Sequence, residues 1–425
     1  MRKQPFWRTA ISGFRLLALG IGIKRWLLLL AVGAQFAGIG IAYLVTVLYH
    51  AGWFPASIYD IIFLGKLPVW QRIILMLSIG GGMVLLALWR LGLNLVAPFR
   101  NADQSLISSL VDHSRQGRGV RVVAIGGGTG LPSLLRVLTA HTRNITAVIT
   151  VADDGGSSGR LRQQLGVLPP GDFRNNIAAL SRDETLMTQL LQYRFGGSDE
   201  ALRGHAFGNL LLAALSDIAG SFDEGLIAAE RVLAMRGKVL PSTLTAVTLT
   251  ADVETKDGEA HHIIGESAIP KADGRVLQVI LDPRDARAYP PAIQAILQAD
   301  VVVMGPGSLY TSILPNLLVP DITQALQHTR ALKVYICNIA TQPGETDGYS
   351  VADHVAAIVA HTSPDCIDVV LANDNFPDTF PQSSVSRLVR GDVVENGRLI
   401  TADLIDEEKP WRHDSQKVAA AILAL

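Results

Sequence analysis

Several polar stretches follow runs of apolar and β-branched residues, and their composition suits the binding of a phosphate-bearing ligand. The first is GGGTGLP, Gly126–Pro132, after VRVVAI. Gly126, Gly127, Gly128 and Gly130 let backbone N–H groups turn toward an anion, Thr129 adds a hydroxyl, and Pro132 suits the first turn of a helix. A phosphate at that helix N-terminus is the chemistry this spacing offers, with a tight ligand-free turn as the alternative. The P-loop lysine is missing. Counted from Gly126 or from Gly128, the sixth position of a G-x-G-x-x-G pattern is Leu131 or Ser133, so the dinucleotide fingerprint is also imperfect.

The second stretch is ADDGGSSGRLR. Asp153 and Asp154 suit Mg²⁺, a ribose hydroxyl or a cap for the next segment. Gly155, Gly156, Ser157 and Ser158 suit a second backbone nest that Arg160 and Arg162 would neutralise. A polar turn with a solvated aspartate pair is the alternative. In LPPGDFRNNIAAL, Pro169, Pro170 and Gly171 set a rigid turn from which Asp172, Arg174 and Asn175 are expected to project, Asp172 being equally suited to an N-cap. RGHAFGN brings His205, Gly208 and Asn209 to the start of an apolar helix. No second His or Cys lies at zinc-ligand spacing, so His205 is a hydrogen-bonding, acid/base or turn residue.

GPGSLYTSILPN offers close backbone approach at Gly305 and Gly307, hydroxyls on Ser308, Tyr310 and Thr311, and a Tyr310 ring able to stack on a base. This stretch holds no G-x-S-x-G elbow, which gives a hydrolase triad no support there. Asn338, Thr341, Gln342 and Glu345 follow the next strand, and Asn373 and Asn375 the last.

These stretches need a scaffold that brings strand ends together. Strands are predicted at Val120–Ile125, Ile145–Val151, Leu244–Val253, Val276–Leu281, Asp300–Met304, Lys333–Asn338 and Cys366–Ala372. Helices are predicted at Pro132–Thr139, Phe207–Ala219, Phe222–Met235, Ala288–Gln298 and Val351–His361. Runs such as VVVM suit central strands covered on both faces, and the alternation predicts a doubly wound, mostly parallel, Rossmann-like α/β sheet with ligands at its carboxyl edge. Hairpins are expected at Asp257-Gly258 and Asn396-Gly397. Cys337 and Cys366 read as buried thiols.

The segment ahead of this domain, residues 119–425, has another character. Residues 1–25 carry six Lys or Arg and no acid, which leaves the rest of the chain six units below the net charge of −1. An acidic body argues against nucleic acid. Trp26–Tyr49 is uncharged and long enough to span a bilayer as a helix, and a second apolar run lies between Arg72 and Arg90, continuing to Val96. Residues 26–98 therefore read as a two-helix transmembrane hairpin, with a basic cytoplasmic N-terminus and a polar linker at 99–118. A second IGGG, beginning at Ile79, falls inside this hairpin and is expected to aid packing against Gly33, Ala37, Gly38 and Ala42. The main domain then faces the cytoplasm from the inner membrane.

The strings AIGGGTGLPSLLR, ITVADDGGSSGRLR, LPPGDFRN, GHAFGNLLLAAL, GPGSLYTSILPNLLV and TQPGETDGYSVADHV, taken together and in this order, resemble the gluconeogenesis-factor (YvcK-type) proteins of the phospholactate-transferase-like (CofD-like) superfamily. The match runs from about Val120 to about Asp403 and leaves the hairpin outside. The resemblance implies binding of UDP-sugars such as UDP-N-acetylglucosamine and support of cell shape and wall synthesis on gluconeogenic carbon sources. It implies that Gly126–Gly130 and Gly305–Tyr310 frame the diphosphate. It also matches Asp153 and Asp154 to the acidic pair by which the transferases hold Mg²⁺ or acceptor, although the following GGSSGR looks like the regulator branch. The leading expectation is a non-catalytic, membrane-tethered UDP-sugar-binding regulator. Its expected partners are membrane lipid, cell-wall synthesis proteins and a second copy of the chain. The alternatives are a Mg²⁺-dependent phospho-group transferase and an NAD-dependent oxidoreductase.

Overall fold

The computed structural model describes Gly119–Leu425 apart from residues 182–183, 197–201, 256, 273 and 378–385, and helical pieces between residues 35 and 82. The segments up to Leu106 and from Ile107 onward form separate units.

Short runs form ten strands among the described residues. In chain order these are β1 (Val122–Gly126), β2 (Ile145–Ile149), β3 (Lys238–Pro241), β4 (Thr248–Thr255), β5 (Ala260–Ile264), β6 (Gly274–Asp282), β7 (Val301–Met304), β8 (Leu332–Ile336), β9 (Val369–Asn373) and β10 (Arg398–Ala402). Seven of them form one sheet in the order β10-β9-β8-β7-β1-β2-β3, with every pair parallel. Every residue of β1 and β9 is buried, as expected of strands covered by helices on both faces. The chain runs outward from β1 through β2 to β3, then returns to β7 on the other side of β1. The connections therefore diverge between β1 and β7, which is the topological switch point where open α/β sheets take ligands.

Helix Leu131–His141 shows how sequence spacing builds a covering layer. Leu131, Leu134, Leu135 and Leu138 recur at helical period and are all buried, while Pro132 occupies the first turn. Each such leucine contributes about 2 kcal/mol by leaving water. This helix packs against helices Gly171–Leu180 and Ser415–Leu423. Cys337 and Cys366 are free and buried.

Two expectations about strands are corrected. Leu244–Val253 and Val276–Leu281 do not join the parallel sheet. They become β4 and β6 of a separate antiparallel sheet, β5-β4-β6. Their alternation is the physical reason: Leu249, Ala251 and Val253 point into the core while Asp252 and Glu254 do not, which suits a sheet wet on one side. The hairpin at Asp257-Gly258 does form, joining β4 to β5. The one at Asn396-Gly397 does not, because Arg398–Ala402 pairs in parallel with β9. Strand β3 and helices Gly156–Leu165, Gly171–Leu180, Glu184–Gln192, Pro320–His328 and Ser415–Leu423 were not expected.

The expected membrane spans lie largely outside the described residues. Residues 40–50 are helical and expose Ile41, Tyr43, Leu44 and Val47. Among the described residues no helix is long and apolar enough to cross a membrane. A Cβ added at Gly38, Gly80 or Gly82 meets no described residue within 4 Å, and Gly33, Ala37 and Gly81, on which the expected packing at the Ile79 IGGG also rests, lie outside the described residues.

Candidate functional site

The glycine loop after β1 touches its neighbours so closely that side chains have no room. A Cβ on Gly128 would lie 2.7 Å from Cα of Asp172, and one on Gly130 would lie 2.5 Å from the carbonyl oxygen of Pro306. The loops after β1 and β7 therefore meet at the switch point, with helix Gly171–Leu180 against their other side. Gly305 adopts φ 93°, where an L side chain is strained, and a Cβ on Gly307 would crowd Ser312 at 3.2 Å.

Three asparagines hold the loop. Asn316 donates from Nδ2 to Gly126 O at 3.0 Å, Asn176 to Gly127 O at 3.0 Å and Asn175 to Gly128 O at 2.7 Å. Only Asn175 was anticipated. Asn176 and Asn316 carried a readable signal, since an asparagine inside an apolar helical run must find buried partners.

Helix Gly171–Leu180 also corrects the expected projecting turn. Pro170 is its N-cap residue, so Asp172 does not cap it and lies in its first turn with Arg174 and Asn175 close behind. Arg174 is buried. Its Nη1 donates to Asn209 Oδ1 at 3.1 Å, and its Nη2 donates to Asn175 Oδ1 at 3.0 Å. Asn209 in turn donates to Ser157 Oγ at 3.1 Å, and Ser157 meets His205 Nδ1 at 3.0 Å. One buried polar chain thus runs from His205 through Ser157, Asn209, Arg174 and Asn175 to the glycine loop. Gly208 is required beside it, because a Cβ there would lie 2.6 Å from the Arg174 stem. Burial, with the nearby Arg160 charge, lowers the His205 pKa. The stretch expected as a backbone nest, Gly155–Ser158, forms the N-cap and first turn of helix Gly156–Leu165. Arg160 donates from Nη2 to Arg203 O at 3.0 Å.

Acidic groups line the same cleft. Asp153 accepts the Gly155 N–H at 2.9 Å, and Asp154 accepts the Ser267 N–H at 2.9 Å, so the two neighbours have different partners. Burial raises the pKa of Asp153. Burial, reinforced by the Asp153 charge, pushes Asp172 up to about 7, although the Gly128 N–H on its carboxylate opposes the shift. Glu266, delivered by the short helix Glu266–Lys271 after β5, was not anticipated. Burial together with Asp153, Asp172, Asp154 and Glu345 pushes it up to about 8. Glu345 is raised by burial as well. It receives the Ser308 hydroxyl in a short hydrogen bond, and Thr311 donates to Ser308 Oγ at 2.7 Å. A cleft with these acids accepts a polyanion only alongside protons or a cation.

Among the described residues no three His, Cys, Asp or Glu side chains converge in a way that could hold a metal ion. Mg²⁺ needs only one or two carboxylates when ligand phosphates and water complete its shell, so Asp153 and Asp154 retain that chemistry.

The remaining expected residues are spread more widely. Tyr310 is 2% exposed, its hydroxyl lies 2.8 Å from that of Tyr349, and its ring packs edge-on to Tyr349 and His361. Stacking on a base would require it to leave that packing. Thr341 Oγ1 accepts the Arg387 N–H at 2.9 Å, and Asn373 Oδ1 accepts the Leu404 N–H at 3.1 Å. Both secure chain connections. Asn338 donates to Gln342 at 2.9 Å, and both are half-buried or buried beyond β8.

Comparison with known proteins gives this geometry a family. Residues 122–420 match the 2-phospho-L-lactate transferase CofD family. The gluconeogenesis factor of Bacillus subtilis is 45% identical over 318 residues, covering 73% of this chain and 99% of that protein. A Nostoc sp. relative carrying the provisional form of the same name is 44% identical over 436 residues, 96% of this chain and 92% of its own length, so its match reaches into the N-terminal segment. The crystal structure of a UPF0052-family protein from Bacillus halodurans superposes with TM-score 0.65 at 44% identity, covering 71% of this chain and 98% of that one. The chain belongs to the gluconeogenesis factor family, and its body is a CofD-like domain.

Proposed function

We propose that this chain is a UDP-sugar-binding regulator, with UDP-N-acetylglucosamine as its ligand, that supports cell shape and wall synthesis during growth on gluconeogenic carbon sources. The observation that carries the proposal is the meeting of the two glycine loops at the switch point between β1 and β7. Backbone N–H groups gathered there suit a diphosphate. The Asn, Ser and Thr side chains around them suit a sugar and a base. The name gluconeogenesis factor carried by the relatives supports the link to gluconeogenic carbon sources.

A second reading is a Mg²⁺-dependent phospho-group transferase. It is favoured by the CofD family match and by carboxyls held protonated near neutrality, which suit proton transfer. On either reading Mg²⁺ would enter with the ligand phosphates, with Asp153 and Asp154 as its protein partners, and would supply charge neutralisation.

Calorimetry with the full chain is expected to give heat with UDP-N-acetylglucosamine and none with NAD. The reverse result would overturn the regulator reading. Ligand recovered unchanged after long incubation with Mg²⁺ supports regulation, and new product supports the transferase. The basic N-terminus and the outward apolar residues of helix 40–50 support a membrane tether that leaves the body in the cytoplasm. A reporter fused after Leu425 is expected to be active in the cytoplasm, and periplasmic activity would refute that topology.

A further inference from the structure

The three asparagines on the glycine loop do more than fill space. In a trans peptide the carbonyl and the following N–H point in opposite directions. Holding the carbonyls of Gly126, Gly127 and Gly128 therefore fixes the directions of the N–H groups of Gly127, Gly128 and Thr129, which share their peptide planes. The three holds come from two helical regions: Asn175 and Asn176 from helix Gly171–Leu180, and Asn316 from the segment after β7. Asn176 and Asn316 are built alike. Each is 0% exposed, and each donates from Nδ2 both to a loop carbonyl and to the carbonyl four residues earlier, Asp172 O and Ser312 O at 2.8 Å.

Two further observations show that the arrangement serves orientation. The Oδ1 atoms of Asn176 and Asn316 are buried and have no hydrogen-bond partner. Turning either amide over would place an oxygen against two carbonyl oxygens, so the donor assignment is forced and the unpaired acceptor is its consequence. One of these N–H groups also already serves an acidic side chain: the Gly128 N–H is hydrogen-bonded to the Asp172 carboxyl. That N–H is thus aimed at an oxygen acceptor outside the loop's own backbone.

We propose that Asn176 and Asn316, with Asn175, are positioning residues that preorganise the Gly126–Thr129 backbone as the diphosphate-binding surface without touching the ligand. The inference rests on the diphosphate reading of this cleft.

Asn316→Leu and Asn176→Leu remove the donors at nearly constant volume. For the folded variants, UDP-N-acetylglucosamine affinity is expected to fall about 10–100-fold, as when outer supports of a binding site are removed. In the full chain labelled with ¹⁵N-glycine and ¹⁵N-threonine, the Gly127, Gly128 and Thr129 amide resonances should shift with inorganic pyrophosphate in the wild type. They should lose that response in the variants. A folded variant with unchanged affinity and unchanged amide response overturns the proposal. If a variant fails to fold, the wild-type amides decide: silence at all three while UDP-N-acetylglucosamine binds overturns it, and a shift supports it. If the wild type binds no UDP-sugar yet pyrophosphate shifts the three amides, the nucleotide reading falls and the preorganised anion surface stands.

Discussion

The loops after β1 and β7 and those after β8 and β9 end parallel strands of one sheet and are similarly rich in Asn, Thr and Gly, yet their polar atoms have different obligations. Around β1 and β7, side chains hold a backbone whose N–H groups face a crevice. Beyond β8 and β9, Thr341 and Asn373 hold backbone N–H groups of neighbouring loops, so their own polar atoms are already committed. A polar residue at a strand end is thus a poor indicator of a site by itself. What it is bonded to separates a site from a connection.

The sharpest test of this contrast is steric. Gly128→Val places a branched side chain where even a Cβ would lie 2.7 Å from the Asp172 backbone. UDP-N-acetylglucosamine binding is expected to be lost or weakened more than about 100-fold, with destabilisation of about 1–3 kcal/mol from forced backbone shifts. Calorimetry and urea unfolding measure the two effects. A valine variant that binds like the wild type would show that the loop is not the site.

Buried acids from several loops, Glu345 after β8 among them, gather at the cleft and make stability depend on pH. The folded chain holds protons on Asp172 up to about pH 7 and on Glu266 up to about pH 8, whereas the unfolded chain releases them near pH 4. Between these limits the native state binds more protons, so stability falls as pH rises through the window. Glu266→Gln removes one ionisation and is expected to raise stability at pH 8 by about 2 kcal/mol, with the gain vanishing near pH 4. Urea unfolding in EDTA across this range tests it. A variant that tracks the wild type at every pH would mean that Glu266 ionises as freely as an exposed acid.

On the other side, Asn373→Ala and Thr341→Val should act on stability alone. Each leaves a backbone N–H without its acceptor, at Leu404 and Arg387, costing about 1–2 kcal/mol. Ligand affinity is expected to stay within about twofold. A tenfold loss in either folded variant would move the site toward β8 and β9.

The sequence made the parallel sheet legible because fully buried strands are written as unbroken apolar runs, as in VVVM of β7. It made the glycine loops legible because no other residue fits there. The period-two pattern TLTADVET was also present, but reading it as another parallel strand hid the second sheet and with it Glu266, which reaches the cleft only through tertiary placement. The run GGSSGR reads as a loop because glycine and serine are poor helix formers, yet it starts a helix whose Ser157, Ser158 and Leu161 are buried, so packing overrides local preference. Asn176 and Asn316 could be marked from sequence as needing buried partners, but that those partners are the glycine carbonyls is set by tertiary placement.

Asn338 gives the smallest and most selective test. It sits on the β8 side, but its side chain is bonded to Gln342 rather than to a backbone N–H, and it is half-buried. Removing it therefore leaves no buried main-chain donor or acceptor unpaired, and a partly exposed side-chain pair contributes about 0.5–1 kcal/mol at most. Asn338→Ala should hardly change the unfolding midpoint. If the ligand's sugar or base extends from the diphosphate toward β8, the same variant weakens UDP-N-acetylglucosamine binding about 3–10-fold while leaving pyrophosphate binding unchanged, since the amide would then meet only the organic part of the ligand. Equal weakening for both ligands would place Asn338 at the phosphates. No weakening for either would confine the site to β1 and β7, making the division between the two halves of the sheet complete.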